Sequence, residues 1–234
     1  MRGGFRTYSG SFLYTYGSNE ENMEKRQGKK IVDAILSRRS IRKFKPEKVD
    51  REIINELLEV GRSAPSRGNS QPWHFVVVND DRVKKDLADA CYGQKLVEEA
   101  AFCIVVLGKI DPRKDVPDRT AELVDASAFG QEVKDFANHI LDDWEIAELK
   151  VDAALNSAIP ATLISIAALD FGLGSCWVKL AKDEEVLNVV SAPDGYYHTG
   201  TIAFGFPDQD PKARPRLPIK QIVSNNKFGI PYFD

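Results

Sequence analysis

The chain has 234 residues, 43% hydrophobic and 29% charged, with a formal charge of −3 from 32 basic and 35 acidic residues. That composition suits a water-soluble globular protein with one sizeable core, and it excludes wholesale nucleic-acid binding, so each basic cluster needs a local explanation. Three cysteines, Cys91, Cys103 and Cys176, form no CxxC pair, which points away from a disulfide framework or a zinc site and fits a reducing cytosol.

Residues 1 to 28 are rich in Gly, Ser and Tyr and lack the apolar core of a signal peptide, so they are expected to lie outside the fold, with Met23 as an alternative start. No stretch reads as the ~18 apolar residues of a membrane span. Residues 29–234 are expected to form a single domain. "KKIVDAILSRR" spaces Ile31, Val32, Ile35 and Leu36 as a helix that ends before Pro46. "DREIINELLEVGR" predicts a second helix, capped by Asp50 and ending near Gly61.

The loop "SAPSRGNSQP" leads into the strand "WHFVVV", where His74 is expected to be packed. "DDRVKKDLADAC" predicts another helix. "AFCIVVLG" predicts a strand apolar on both faces and hence central in a sheet. Residues 111 to 121 are expected as a charged, Pro-broken loop and residues 122 to 147 as helix. "VDAALNSAIPATLISIAALDFG" is apolar nearly all round, which predicts a helix buried on most sides, kinked or broken at Pro160 and stopped at Gly172. "SCWVKL", "KDEEVLNVVS" and "TGTIAFGFP" predict strand, helix and strand. The aromatic tail "IPYFD" finds no local partner. The class is α+β.

Three polar clusters carry candidate chemistry. In "RRSIRKF", Arg38, Arg39, Ser40 and Arg42 offer forked donors that suit phosphate oxygens. The same run also suits a solvated helix end. In "APSRGNSQPWHF", Ser66, Asn69 and Gln71 present amide and hydroxyl groups on a loop stiffened by Pro65 and Pro72, matching either a heterocyclic ring or a turn. In "RPRLP", Arg214 and Arg216 alternate about Pro215 and point the same way if extended. A Walker or Rossmann glycine loop is absent, "GLGSCW" being too short. His74, His139 and His198 have no metal-ligand spacing, and no metal is expected.

The order "RRSIRKF", "APSRGNSQPWHFVVV", "GLGSCW" and "GFP…RPRLP", over about residues 30 to 223, resembles the nitroreductase family of FMN-dependent, NAD(P)H-using oxidoreductases. The resemblance implies a three-layer sandwich, a central mostly antiparallel sheet flanked by helices, in an intertwined cytoplasmic homodimer with flavin sites at the interface. It implies that Arg38, Arg39 and Ser40 hold phosphate and ribityl oxygens, and that Arg42 tunes the flavin from its pyrimidine edge. Pro65, Ser66, Asn69 and Gln71 correspond to the loop given by the second subunit. Cys176, Trp177 and Val178 would pass along one flavin face, and Arg214 and Arg216 would meet the phosphate. Gly93, Gln94 and Lys95 stand where relatives often supply ring contacts. Lys179 and Leu180 replace a glycine common after "GLGSCW". Residues 111–147 match a variable helical insertion over the substrate.

The implied activity passes electrons from NADH or NADPH through flavin N5 to a small acceptor such as a nitroaromatic or a quinone, in ping-pong fashion. The alternatives are a flavin enzyme of the same fold with a dedicated substrate (a dehydrogenase or dehalogenase), a non-catalytic flavin-binding module, and an RNA-binding domain using "RRSIRKFK". Net charge and the lack of interleaved aromatics weigh against the last.

Overall fold

The computed structural model describes residues 31–133, 137, 139 and 141–233. The expected extension 1 to 28 and Met23 lie outside the described residues. Chain order is α1 (Ile31–Ser37), α2 (Arg51–Arg62), β1 (Trp73–Val78), α3 (Asp81–Ala90), α4 (Lys95–Glu98), β2 (Phe102–Lys109), α5 (Val116–Asp125), α6 (Ile146–Ala167), β3 (Gly174–Val178), α7 (Asp183–Val189) and β4 (Tyr196–Gly205).

The described strands form one sheet in the order β1-β2-β4-β3, antiparallel throughout. β2 is buried along almost its whole length, as its two-faced apolar pattern requires. Its alternate residues feed two cores. Cys103, Val105 and Leu107 pack with Leu87 and Ala88 of α3 and Val186 of α7. Phe102, Ile104 and Val106 pack with Ile54 and Leu57 of α2 and Ala161 and Ile164 of α6. The sheet is thus the middle of three layers. Phe102 and Phe204 stack with centroids 4.9 Å apart on the α6 side.

The helix starts follow capping chemistry rather than the apolar run alone. Asp80 caps α3 by accepting from the backbone N–H of Arg82 and Val83. Asp50 occupies the N-cap position of α2 in extended conformation, yet its side chain makes no cap bond. α6 begins five residues before its expected start, because Glu145 and Glu148 form a reciprocal capping box.

Pro160 neither breaks nor ends α6, which runs unbroken from Ile146 to Ala167. The buried residues Ala153, Ser157, Ala161 and Ile164 hold the helix on the sheet at both sides of the proline. Gly172 ends the following 3₁₀ turn at φ +70°, as expected for a left-handed stop.

The loop expected at 111 to 121 gives way to α5, which starts at Val116 with Pro117 in its first turn, where a missing N–H costs nothing. The helix expected over 122 to 147 is interrupted: α5 ends at Asp125, Ala126 to Gly130 leave the helix, Val133, Ala137 and His139 are helical again, and α6 takes over at Ile146. Val116, Ala137, Leu141 and Leu149 form a satellite core at the root of α6.

Two apolar surfaces remain uncovered among the described residues. On α1, Ile31, Val32, Ile35 and Leu36 are all exposed, and on α6 Val151 and Leu155 are 68% and 65% exposed. α6 is therefore buried on one side only, not on most sides. With its 3₁₀ turn it is also long and apolar enough to cross a membrane by length and composition, although no such stretch was expected. Its packing on the sheet and its buried Asp152 belong to a core helix. From Pro211 onward the chain is exposed almost throughout, including Phe228, Tyr232 and Phe233.

Candidate functional site

β3 is the sheet's edge strand, and the segment after α1 comes up beside it. Ser40 bridges Ser175 in parallel, and the Ile41 N–H donates to the Ser175 carbonyl at 3.0 Å. Further on, the Lys45 N–H donates to the Phe206 carbonyl and the Asp208 N–H to the Lys43 carbonyl. This pairing fixes the "RRSIRKF" run against the sheet edge. Close packing makes it possible: a Cβ at Gly174 would lie 2.5 Å from the Ile41 side chain, and one at Gly205 would lie 3.0 Å from Phe44.

Cys176 registers what gathers there. Burial pushes its thiol up, while the positive charges of Arg42, Arg38 and Arg214 pull it down, and burial wins. The backbone pairing sets Arg38 and Arg42 on either side of the Ser40–Ser175 bridge, and Arg214 lies near enough for its charge to bear on the same thiol. Arg39 is otherwise engaged, donating to the carbonyls of Leu36 and Arg38, so it caps α1. Arg216 lies two residues beyond Arg214 in the exposed C-terminal segment.

Consecutive strand residues face opposite ways, so Cys176, Trp177 and Val178 do not present one row of side chains. Val178 joins the α3 side, whereas the Trp177 indole lies over Gly200 on the other face, where a Cβ would meet it at 2.5 Å. What the three share is the backbone of the sheet edge. Gln94 reaches the same neighbourhood: its amide donates to the carbonyls of Cys91 and of Leu180, just past β3, both at 2.9 Å. Gly93 turns the chain at φ +69°, and Lys95 begins α4.

The polar loop 65–71 lies elsewhere. It precedes Trp73, which pairs with Gly108, and Gly108 in turn pairs with Tyr197, whereas Ser175 pairs with Phe204. β4 runs about 23 Å from Tyr197 to Phe204, and three strand spacings from β1 to β3 add about 14 Å sideways. Within one chain, the loop and the arginine cluster occupy opposite corners of the sheet.

The loop is held in an unusual shape. Gly68, Asn69 and Gln71 all have positive φ, at 54°, 55° and 43°. The Gln71 N–H donates to the Ser66 hydroxyl at 2.9 Å, and the Asn69 amide donates to Glu122 of α5 at 3.2 Å. Beside the loop opens a cleft of about 390 Å³ lined by Gln71, Trp73, Lys109, Asp115, Arg119 and Tyr196. His74, expected to be packed, is exposed, with its ring edge toward Tyr196 at 6.0 Å.

Two polar clusters were not anticipated. His198 is fully buried; its Nδ1 lies 2.8 Å from Asp183, which can only accept, so Nδ1 carries the proton and Nε2 accepts from the Thr201 hydroxyl at 3.0 Å. Lys179 donates to Asp183 and to the His198 carbonyl. The second cluster joins Arg67 to Asp152 and Asn156 of α6. Among the described residues, no group of His, Cys, Asp and Glu is arranged to hold a metal.

The chain is 28% identical over 193 residues to a protein named NADH dehydrogenase from Thermus thermophilus, covering 81% of this chain and 93% of that one. It is 26% identical over 203 residues to a Staphylococcus aureus protein named NADPH-dependent oxidoreductase, covering 85% and 74%. Among solved structures, the NADPH:FMN oxidoreductase of Vibrio harveyi complexed with NAD+ superposes with a TM-score of 0.68 at 26% identity, covering 85% of this chain and 77% of that one. A structure from Exiguobacterium sibiricum in complex with FMN reaches a TM-score of 0.75 at 23% identity, covering 84% and 97%, and so shares the fold. The nitroreductase family model matches residues 35–206, which contain all four described strands and both cores on the sheet. The chain belongs to the nitroreductase family.

Proposed function

We propose that this chain is an FMN-dependent oxidoreductase that takes reducing equivalents from NADH or NADPH and delivers them to a small acceptor such as a nitroaromatic or a quinone. The observation that carries the reading is the pairing of the "RRSIRKF" run to β3, which sets Arg38 and Arg42 at the sheet edge where the charge of Arg214 is also felt. Cations gathered at one sheet edge repel one another, so the arrangement suits a multiply charged anion such as a phosphate monoester. The names of the Staphylococcus and Vibrio relatives support the choice of flavin and nicotinamide.

Bound flavin supplies the transfer of reducing equivalents between nicotinamide and acceptor. The chain's own residues bind, orient and bias it. Arg38, Arg214 and Arg216 hold the phosphate, and Ser40 adds a hydroxyl. Arg42 sets a fixed positive charge where negative charge grows on reduction, so it favours the reduced state selectively. Asn69 and Gln71 reach the ring from the second copy's loop, because the loop of the same chain lies at the far corner of the sheet. The site is therefore composite and the working form is a homodimer. The exposed apolar residues of α1 and α6 support this assembly.

The test is direct. The purified protein is expected to be yellow, to release FMN on denaturation, and to oxidise NADH or NADPH only when an acceptor is supplied. A colourless protein that takes up no added FMN would overturn the reading.

A further inference from the structure

α6 is apolar over most of its length, yet it buries Asp152 and Asn156, one helical turn apart, at 8% and 3% exposure. A buried carboxylate is costly unless it is paired, and where stability alone is at stake an apolar pair of similar shape serves as well. What the two side chains hold is therefore informative. Asp152 accepts a forked pair of bonds from Arg67 Nε and a terminal guanidinium nitrogen, at 2.8 and 2.9 Å. Asn156 Oδ1 accepts from the Arg67 backbone N–H at 2.8 Å, and its amide donates to the Asp152 carbonyl, which locks its own rotamer. The Trp144 ring lies 5.2 Å from the Arg67 guanidinium carbon and closes the pocket from the insertion.

Arg67 is the residue just before the left-handed run. Asn69 and Gln71, the two groups assigned to the flavin ring, both sit at positive φ without being glycine. Such a backbone conformation is strained for a residue with a Cβ, less so for asparagine than for glutamine, and persists where the surroundings over-determine it. Three restraints converge here: the Arg67–Asp152 fork, the bond from the Arg67 backbone to Asn156, and the bond from the Gln71 backbone to Ser66. Two of them come from α6. The same helix turns exposed Val151 and Leu155 outward, next in sequence to Asp152 and Asn156. The element that would meet a second copy thus also sets the shape of the loop that serves that copy.

We propose that Arg67, clamped by Asp152 and Asn156, is a positioning residue of the cofactor site: it holds Asn69 and Gln71 in register for the flavin without touching it. This rests on the FMN reading above.

The test uses purified holoprotein carrying Arg67→Gln, Asp152→Asn, both together, or Arg67→Lys, with Arg38→Ala as the reference. FMN release on dilution gives affinity, the visible circular dichroism of bound FMN reports how the ring is seated, and light scattering reports assembly. Each neutralising single change is expected to weaken FMN binding about tenfold, as loss of a charged hydrogen-bonded pair does. The double variant should be no worse than the worse single, because the two act as one unit. The flavin dichroism should change in all of them while the dimer persists. Arg67→Lys keeps Asp152 paired but loses the fork, so it should fold well and still show altered dichroism.

If Arg38→Ala loses FMN while Arg67→Lys and Arg67→Gln hold it with wild-type affinity and dichroism, the latch proposal fails and the flavin reading stands. Additive losses, or losses that accompany dissociation of the dimer, would also overturn the latch, since they mark a general effect on the fold. If Arg38→Ala itself changes nothing, the flavin reading falls and the latch falls with it.

Discussion

Arg38 and Arg42 are four positions apart and their charges bear on the same Cys176 thiol, yet their expected roles differ. A charged donor on a phosphate is worth roughly 1.5–3 kcal/mol, or about one to two decades of affinity. Arg38→Ala should therefore weaken oxidised FMN binding by that much, whereas Arg51→Ala, on the exposed start of α2, should not. Arg42→Ala should instead lower the flavin midpoint potential more than it weakens oxidised FMN, with Arg42→Lys retaining much of the wild-type value. Spectroelectrochemical titration separates the two, and an unmoved potential with collapsed binding would make Arg42 a phosphate ligand. His198 behaves in the opposite sense to a surface histidine. Burial lowers its pKa below the ordinary 6.5, and the Asp183 bond only partly offsets that. Below 6.5 the unfolded chain then takes up more protons than the folded one, so stability is complete above that pH and falls as the pH drops beneath it. Urea midpoints across this range should fall more steeply for wild type than for His198→Gln; equal slopes would show that His198 does not carry the effect.

At the scale of elements, α6 and β2 approach so closely that helix backbone meets the strand at Gly108. A Cβ at Gly108 would lie 2.8 Å from the Ala153 carbonyl oxygen and 2.9 Å from the Ser157 hydroxyl. The nearest of these is helix backbone, which cannot rotate away. Gly108→Ala should cost about 1–3 kcal/mol as overpacking, visible as a lower thermal midpoint. An unchanged midpoint would mean that α6 can lift off the sheet, which its run of buried contacts with β2 and β4 opposes. The same packing explains why Pro160 is tolerated: contacts on both sides of the proline outweigh one missing helical hydrogen bond.

For the whole molecule, the unmatched surfaces set the expectation. Among the described residues, Ile31, Val32, Ile35 and Leu36, with Val151 and Leu155, form exposed apolar surface of the kind that marks an interface. Obligate dimers commonly bury about 2,000 Å² or more. The wild-type protein should scatter light as a dimer at micromolar concentration. Leu155→Asp should shift it toward monomer and release FMN in parallel, as expected if each site draws on both copies. A monomer that keeps its flavin would contradict both the dimer and the division of the site between two copies.

Much of this was legible in the sequence because it depends on local rules. The two-faced apolar run "AFCIVVLG" could only be a central strand, and Gly172 could turn left-handed where other residues resist. The order of the arginine, amide and glycine clusters was also readable, since it is a property of the chain. Other features depended on residues far apart in sequence. Arg67 meets Asp152 across 85 positions, and His198 meets Asp183 under the sheet. The only sequence trace of the first was an Asp and an Asn one turn apart within an apolar helix. The start of α5 was masked because Pro117 and its charged neighbours look like a loop until the first-turn exemption for proline applies. Local propensity and patterning are short-ranged, so they determined which elements form; the pairing of buried charges and the separation of the loop from the arginines were decided by packing, where desolvation makes each unpaired group costly and close contacts leave one arrangement.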